Sequence, residues 1–290
     1  MPMNLYRNFK TQSEIDREYN AVLMIPDLRP YIESDAKANE KVCNDLYNIP
    51  DLKYGPTPNE TLDIFPAENP CSPVFVFIHG GYWRSMSSRD FSLVARGPVG
   101  RGVTVVLPNY SLCPAVSIPE ITRQTRASIV WVYQNISRFN GDPDRIFIGG
   151  HSAGGQQVGM LVSTRWKEDY DIPDNVIKGG FPISGIFDLA PLYYSWLQPV
   201  IMLDKYVIST QSPQFQIPDH SPPVLISVGG DESFEFKRQS ECYNTSLLKK
   251  GLKSELFIQS GKNHFTSFRE LNDPDSLLSN TLIEFMENCE

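Results

Sequence analysis

The chain has 290 residues, of which 41% are hydrophobic, 21% charged and 11% aromatic, a composition that excludes a disordered or fibrous protein. Lys and Arg total 26 against 34 Asp and Glu, and the net charge of -8 argues against nucleic acid or an anionic membrane as partner. Five cysteines (Cys43, Cys71, Cys113, Cys242 and Cys289) stand far apart, without the close pairs of a zinc site or a redox C-x-x-C.

Residues 1–60 are polar, and helical stretches are expected around 13–20 and 31–43, interrupted by Pro26, Pro30, Pro50, Pro56 and Pro58. The opening segment has no apolar core of a secretory signal, and no apolar run approaches the roughly 20 residues of a membrane span. With the scattered cysteines, this predicts a cytoplasmic protein. Short apolar runs follow at 62–65, 74–78, 103–107, 146–148, 177–183, 224–228 and 255–258. Most are nearly unbroken Val, Ile and Phe, the pattern of strands buried on both faces. Helical patterns at 119–139, 153–166, 235–250 and 277–287 alternate with them, which predicts one α/β domain with a mostly parallel sheet flanked by helices. The stretch 187–223 is too long for a simple connection and carries Tyr193, Tyr194, Trp196 and Phe215, so it reads as a lid or pocket wall.

The chemistry concentrates at strand ends. The run 146–148 leads into Gly150-His151-Ser152-Ala153-Gly154 and then a helical pattern, a G-x-S-x-G nucleophile elbow in the strand–turn–helix context that gives it meaning. A serine hydroxyl needs a base, and there are only four histidines. His151 abuts the nucleophile and is expected to point away from it. His79 belongs to another motif, and His220 precedes the 224–228 strand at its wrong end. His264 follows the last strand, at the edge where Ser152 lies, and is the expected base. The acid belongs after 224–228, where Asp231, Glu232 and Glu235 stand. Glu235 begins the next helix, and composition does not separate Asp231 from Glu232. A second strand ends in His79-Gly80-Gly81-Tyr82-Trp83, a glycine turn suited to presenting backbone amides to an oxyanion. The expected donors are the amides of Gly81, Tyr82 and Ala153. Trp83, Tyr110 and Trp196 are expected to wall an aryl-accepting pocket, unless they belong to the core.

The pair of motifs resembles the arylformamidase (kynurenine formamidase) branch of the α/β-hydrolase superfamily, the HGGxW type. The likeness spans nearly the whole chain, through DREYNAVLMIP, LDIFPA, PNYSLCP, PISGIFDL and EFKRQS. It implies an α/β-hydrolase fold, no metal or organic cofactor, and hydrolysis of N-formylkynurenine or a similar aryl formamide. It also puts the acid at Glu232, three positions before Glu235-Phe236, with Asp231 second. The expectation is therefore a serine hydrolase that cleaves small acyl groups from a small-molecule aryl amide or ester. The rivals are a broad short-chain carboxylesterase or carbamate hydrolase, and a non-catalytic ligand-binding scaffold. The assembly state, homodimer included, is left open.

Overall fold

The Val, Ile and Phe runs become strands because the chain covers both of their faces. The computed structural model, which describes residues 4–289, contains β1 (Ile49–Lys53), β2 (Thr61–Phe65), β3 (Ser72–Ile78), β4 (Thr104–Pro108), β5 (Gly141–His151), β6 (Ile177–Ile183), β7 (Val224–Gly229) and β8 (Ser254–Gln259). They form a sheet in the order β1-β2-β4-β3-β5-β6-β7-β8. The pairs β1/β2 and β2/β4 are antiparallel, and every pair from β4/β3 to β7/β8 is parallel.

The helices are α1 (Gln12–Tyr19), α2 (Arg29–Asp45), α3 (Arg96–Gly100), α4 (Ile118–Asn135), α5 (Ala153–Val162), α6 (Trp166–Tyr170), α7 (Gln198–Ile201), α8 (Lys205–Gln211), α9 (Phe234–Lys249) and α10 (Leu277–Asn288). Side chains of β3 alternate between two cores. Val74, Val76 and Ile78 join the core shared with α4, α5 and α9, while Phe75 and Phe77 join the one shared with α2 and α10. Burial on both faces explains why these strands read as continuous apolar runs. Among the described residues no helix is long and apolar enough to cross a membrane.

Two boundaries differ from expectation. The segment 1–60 is not wholly helical, because β1 pairs with β2 at the sheet edge. An edge strand tolerates Pro50, which lacks an N–H, and leaves mostly exposed side chains, so it carries no apolar signature. The helical pattern at 153–166 breaks between α5 and α6, where Ser163 and Thr164 hydroxyls bond back to the Gly159 and Met160 carbonyls. The 187–223 insertion is built from α7, α8 and short 3-10 turns at Ala190–Tyr194 and Pro213–Phe215.

Candidate active site

β5 ends at His151 and α5 begins at Ala153, so Ser152 alone makes the turn. Its φ of 56° and ψ of -114° lie where a non-glycine residue stores about 1–3 kcal/mol. The turn is held by the Ser152 N–H, which donates to the Ile183 carbonyl at 2.9 Å. It is also held by close backbone packing: a Cβ on Gly154 would sit 2.0 Å from the Ile78 carbonyl oxygen. One on Gly150 would sit 2.6 Å from the Gly154 backbone. Both glycines of the motif are therefore steric necessities.

His264, from the loop after β8, brings Nε2 to 3.1 Å from Ser152 Oγ and Nδ1 to 2.7 Å from Glu232 Oε2. The other carboxylate oxygen of Glu232 accepts from the Gly229 N–H at 2.8 Å and the Ser184 hydroxyl at 2.5 Å. A carboxylate only accepts, so Nδ1 carries the imidazole proton and Nε2 is free to accept from the Ser152 hydroxyl. All three side chains are buried, Ser152 to 2% exposure. Asp231 is exposed and outside this chain of bonds, so the two adjacent carboxylates are separated by geometry. His220 is exposed and likewise outside it. Ser184, which the sequence reading did not single out, sits just past β6 at a φ of 53° and also bonds Ser267 Oγ at 2.9 Å.

The turn after β3 places three successive residues at positive φ: Gly81 (109°), Tyr82 (51°) and Trp83 (58°). Two of them are aromatic, so the conformation must be held from outside. The Tyr82 hydroxyl donates to the Tyr19 carbonyl at the end of α1, and its ring meets Trp196 edge-on at 5.3 Å. The Trp83 indole N–H donates to Gln156 Oε1 on α5 at 3.0 Å, and the Trp83 carbonyl accepts from the Cys113 N–H. Among the described residues, the amides of Gly81, Tyr82 and Ala153 donate to no protein acceptor. His79 is fully buried, stacks face to face on Tyr110 at 3.9 Å, and is kept neutral by burial, which pushes its pKa down to about 4. The Tyr110 hydroxyl donates to the His79 carbonyl at 2.9 Å.

This corrects two expected pocket walls. Trp83 is 0% exposed and Tyr110 1% exposed, and each spends its polar atom on an internal partner. They brace the turn from behind, because positive φ at Tyr82 and Trp83 swings the second aromatic inward to α5. Trp196 remains half-buried against Tyr82, beside the turn, with its backbone N–H on Asp16 of α1. We expect Trp83→Phe, which keeps the ring and loses the donor, to lower kcat about 10- to 100-fold through a loosened turn. The factor should be the same for acetyl and butyryl esters, since the side chain does not touch the acyl group. A variant that selectively gains on the longer ester would return Trp83 to the pocket.

Sheet order and the serine at the end of the central strand make this an α/β-hydrolase fold. A hyperthermophilic esterase from the archaeon Pyrobaculum calidifontis, only 16% identical, has the same fold with a TM-score of 0.70, covering 91% of this chain and 93% of that one. Residues 62–247 match the protein-family model BD-FAE, and the chain belongs to that family and is an arylformamidase-like α/β-hydrolase. It is similar to the kynurenine formamidase of Salmo salar, 31% identical over 83% of this chain and 82% of that one. The kynurenine formamidase of Danio rerio is 29% identical over 89% of each chain. The molecule is a hydrolase.

Proposed function

We propose that the chain is a serine hydrolase that removes a formyl or similarly small acyl group from an aryl amide of the N-formylkynurenine kind. The observation that carries the reading is the unbroken Glu232–His264–Ser152 chain, with contacts of 2.7 and 3.1 Å, beside a glycine turn. The formamidase relatives supply the substrate class.

In this reading the Ser152 oxygen attacks the formyl carbon as its proton passes to His264 Nε2. Glu232 steadies the imidazolium, and the amides of Gly81, Tyr82 and Ala153 receive the oxyanion. The last of these lies at the N-terminus of α5, where the helix dipole favours negative charge. The C–N bond then breaks, and the amine leaves with the proton from His264. Water attacks the formyl-serine, giving its proton to Nε2, and formate departs as Ser152 regains a hydrogen. In this reading Trp196 and Tyr82, which meet edge-on beside the turn, contact the aryl group. The free thiols of Cys43, Cys71, Cys113 and Cys242 suit a reducing compartment such as the cytoplasm.

The test is kcat/KM for an aryl formamide against the matched aryl ester, together with an acyl series on one aryl leaving group. A formyl carbon carries only hydrogen and needs almost no acyl pocket, so an enzyme of this kind has no reason to keep room for a longer chain. We expect kcat/KM to fall from acetyl to butyryl to octanoyl, on the order of tenfold or more per step. A series that rises with chain length would replace the formamidase reading with a general carboxylesterase.

A further inference from the structure

His151 has no part in the scheme above, yet its side chain lies against the base. It is 5% exposed, and its ring centroid is 4.6 Å from that of His264, with Phe268 at 4.7 Å and Phe91 at 6.0 Å on other sides. Its Nε2 lies 2.9 Å from the main-chain carbonyl oxygen of His264. A carbonyl only accepts, so Nε2 carries the proton and donates. Burial and the neighbouring His264 hold the His151 pKa well below the usual histidine value, which keeps the ring a neutral donor. The bare Nδ1 faces the turn after β3: a Cβ on Gly80 would sit 3.1 Å from it and 2.9 Å from the His151 carbonyl oxygen.

His264 itself belongs to no helix or strand. Its ring must nevertheless hold two hydrogen bonds at once, one to Glu232 and one to Ser152. We infer that His151 is a positioning residue that grips the His264 carbonyl and so sets the imidazole against Ser152. The residue immediately before the nucleophile thereby registers the base loop to the elbow, and its carbonyl, with the ring behind it, leaves no room for a Cβ at Gly80 of the adjacent turn. This rests on the reading of Ser152 and His264 as nucleophile and base.

The experiment compares His151→Gln, His151→Asn and His151→Phe on 4-nitrophenyl acetate, with thermal midpoints and a parallel Ser152→Ala control. A glutamine Nε2 reaches the place of the imidazole Nε2, asparagine falls short of it, and phenylalanine fills the space without a donor. Asn and Phe should lower kcat roughly 10- to 100-fold with KM changed less than about threefold, the signature of a misplaced base rather than lost binding. Gln should recover about tenfold or more over Asn. If the phenylalanine protein does not fold, the Gln-to-Asn ratio carries the test alone. Equal kcat for Gln and Asn in folded proteins, or a loss confined to KM, would overturn the inference. Turnover retained by Ser152→Ala would instead overturn the reading beneath it.

Discussion

Ser152→Ala should abolish turnover, by on the order of 10⁴-fold or more in kcat, while leaving the fold intact. The substitution removes one oxygen, whose hydrogen bond in the structure is to His264 Nε2. The turn does not depend on that oxygen, since it is fixed by the Ser152 N–H on Ile183 and by the glycine contacts at positions 150 and 154. Alanine at a φ of 56° bears the same backbone strain as serine, so the thermal midpoint should stay near that of the wild type. The Ser184 hydroxyl is committed to Glu232 and Ser267, so it offers no substitute nucleophile. A serine-directed phosphonate should add its mass to the wild type and not to the variant. Activity above a tenth of wild type would remove Ser152 from the mechanism.

The parts of this architecture that the sequence exposes are those in which one physical demand acts on several neighbouring residues. A strand such as β3 is covered on both faces, so every position from Val74 to Ile78 must be apolar and the run is visible. The elbow is visible because Gly150 and Gly154 meet backbone that excludes any Cβ. β1 has no such demand at an exposed edge, and its polar residues and Pro50 hide it. The direction of a side chain is also hidden. Tyr82 and Trp83 directly follow the glycine turn in the chain, but only the run of positive φ sends Trp83 to Gln156 and into the core. A clue was present in α5, where Gln156 and Gln157 interrupt an otherwise small and apolar helix. Buried glutamines need partners, and these hold Trp83 and Thr125. Ser184 carries no signal of its own, and His151 reads only as a residue that points away from the nucleophile, because the contacts of both are distant in sequence.

Glu232→Gln should cost about 10³- to 10⁴-fold in kcat, whereas Asp231→Asn should stay within roughly threefold of wild type. Composition left the two carboxylates equivalent and only the family resemblance favoured Glu232; the turn after β7 orients them oppositely. The Asp231 N–H donates to the Lys262 carbonyl and its side chain faces solvent, while the Glu232 N–H folds back on Gly229 and its carboxylate is buried. That carboxylate receives donors on both oxygens: Gly229 N–H and Ser184 O–H on Oε1, and His264 Nδ1–H on Oε2. A glutamine keeps the shape but has one accepting oxygen. The Gly229 amide is fixed in the backbone and can only donate, so it claims that oxygen and turns the NH₂ toward His264. Nδ1 must then accept, and the imidazole proton moves to Nε2, facing Ser152 Oγ, where it blocks proton removal from the nucleophile. Removing the Ser184 hydroxyl as well leaves the Gly229 donor in place, so Ser184→Ala should not rescue Glu232→Gln. Rescue by that second change, or a larger loss in Asp231→Asn than in Glu232→Gln, would mean that the acid reaches His264 by another route than the one this turn provides.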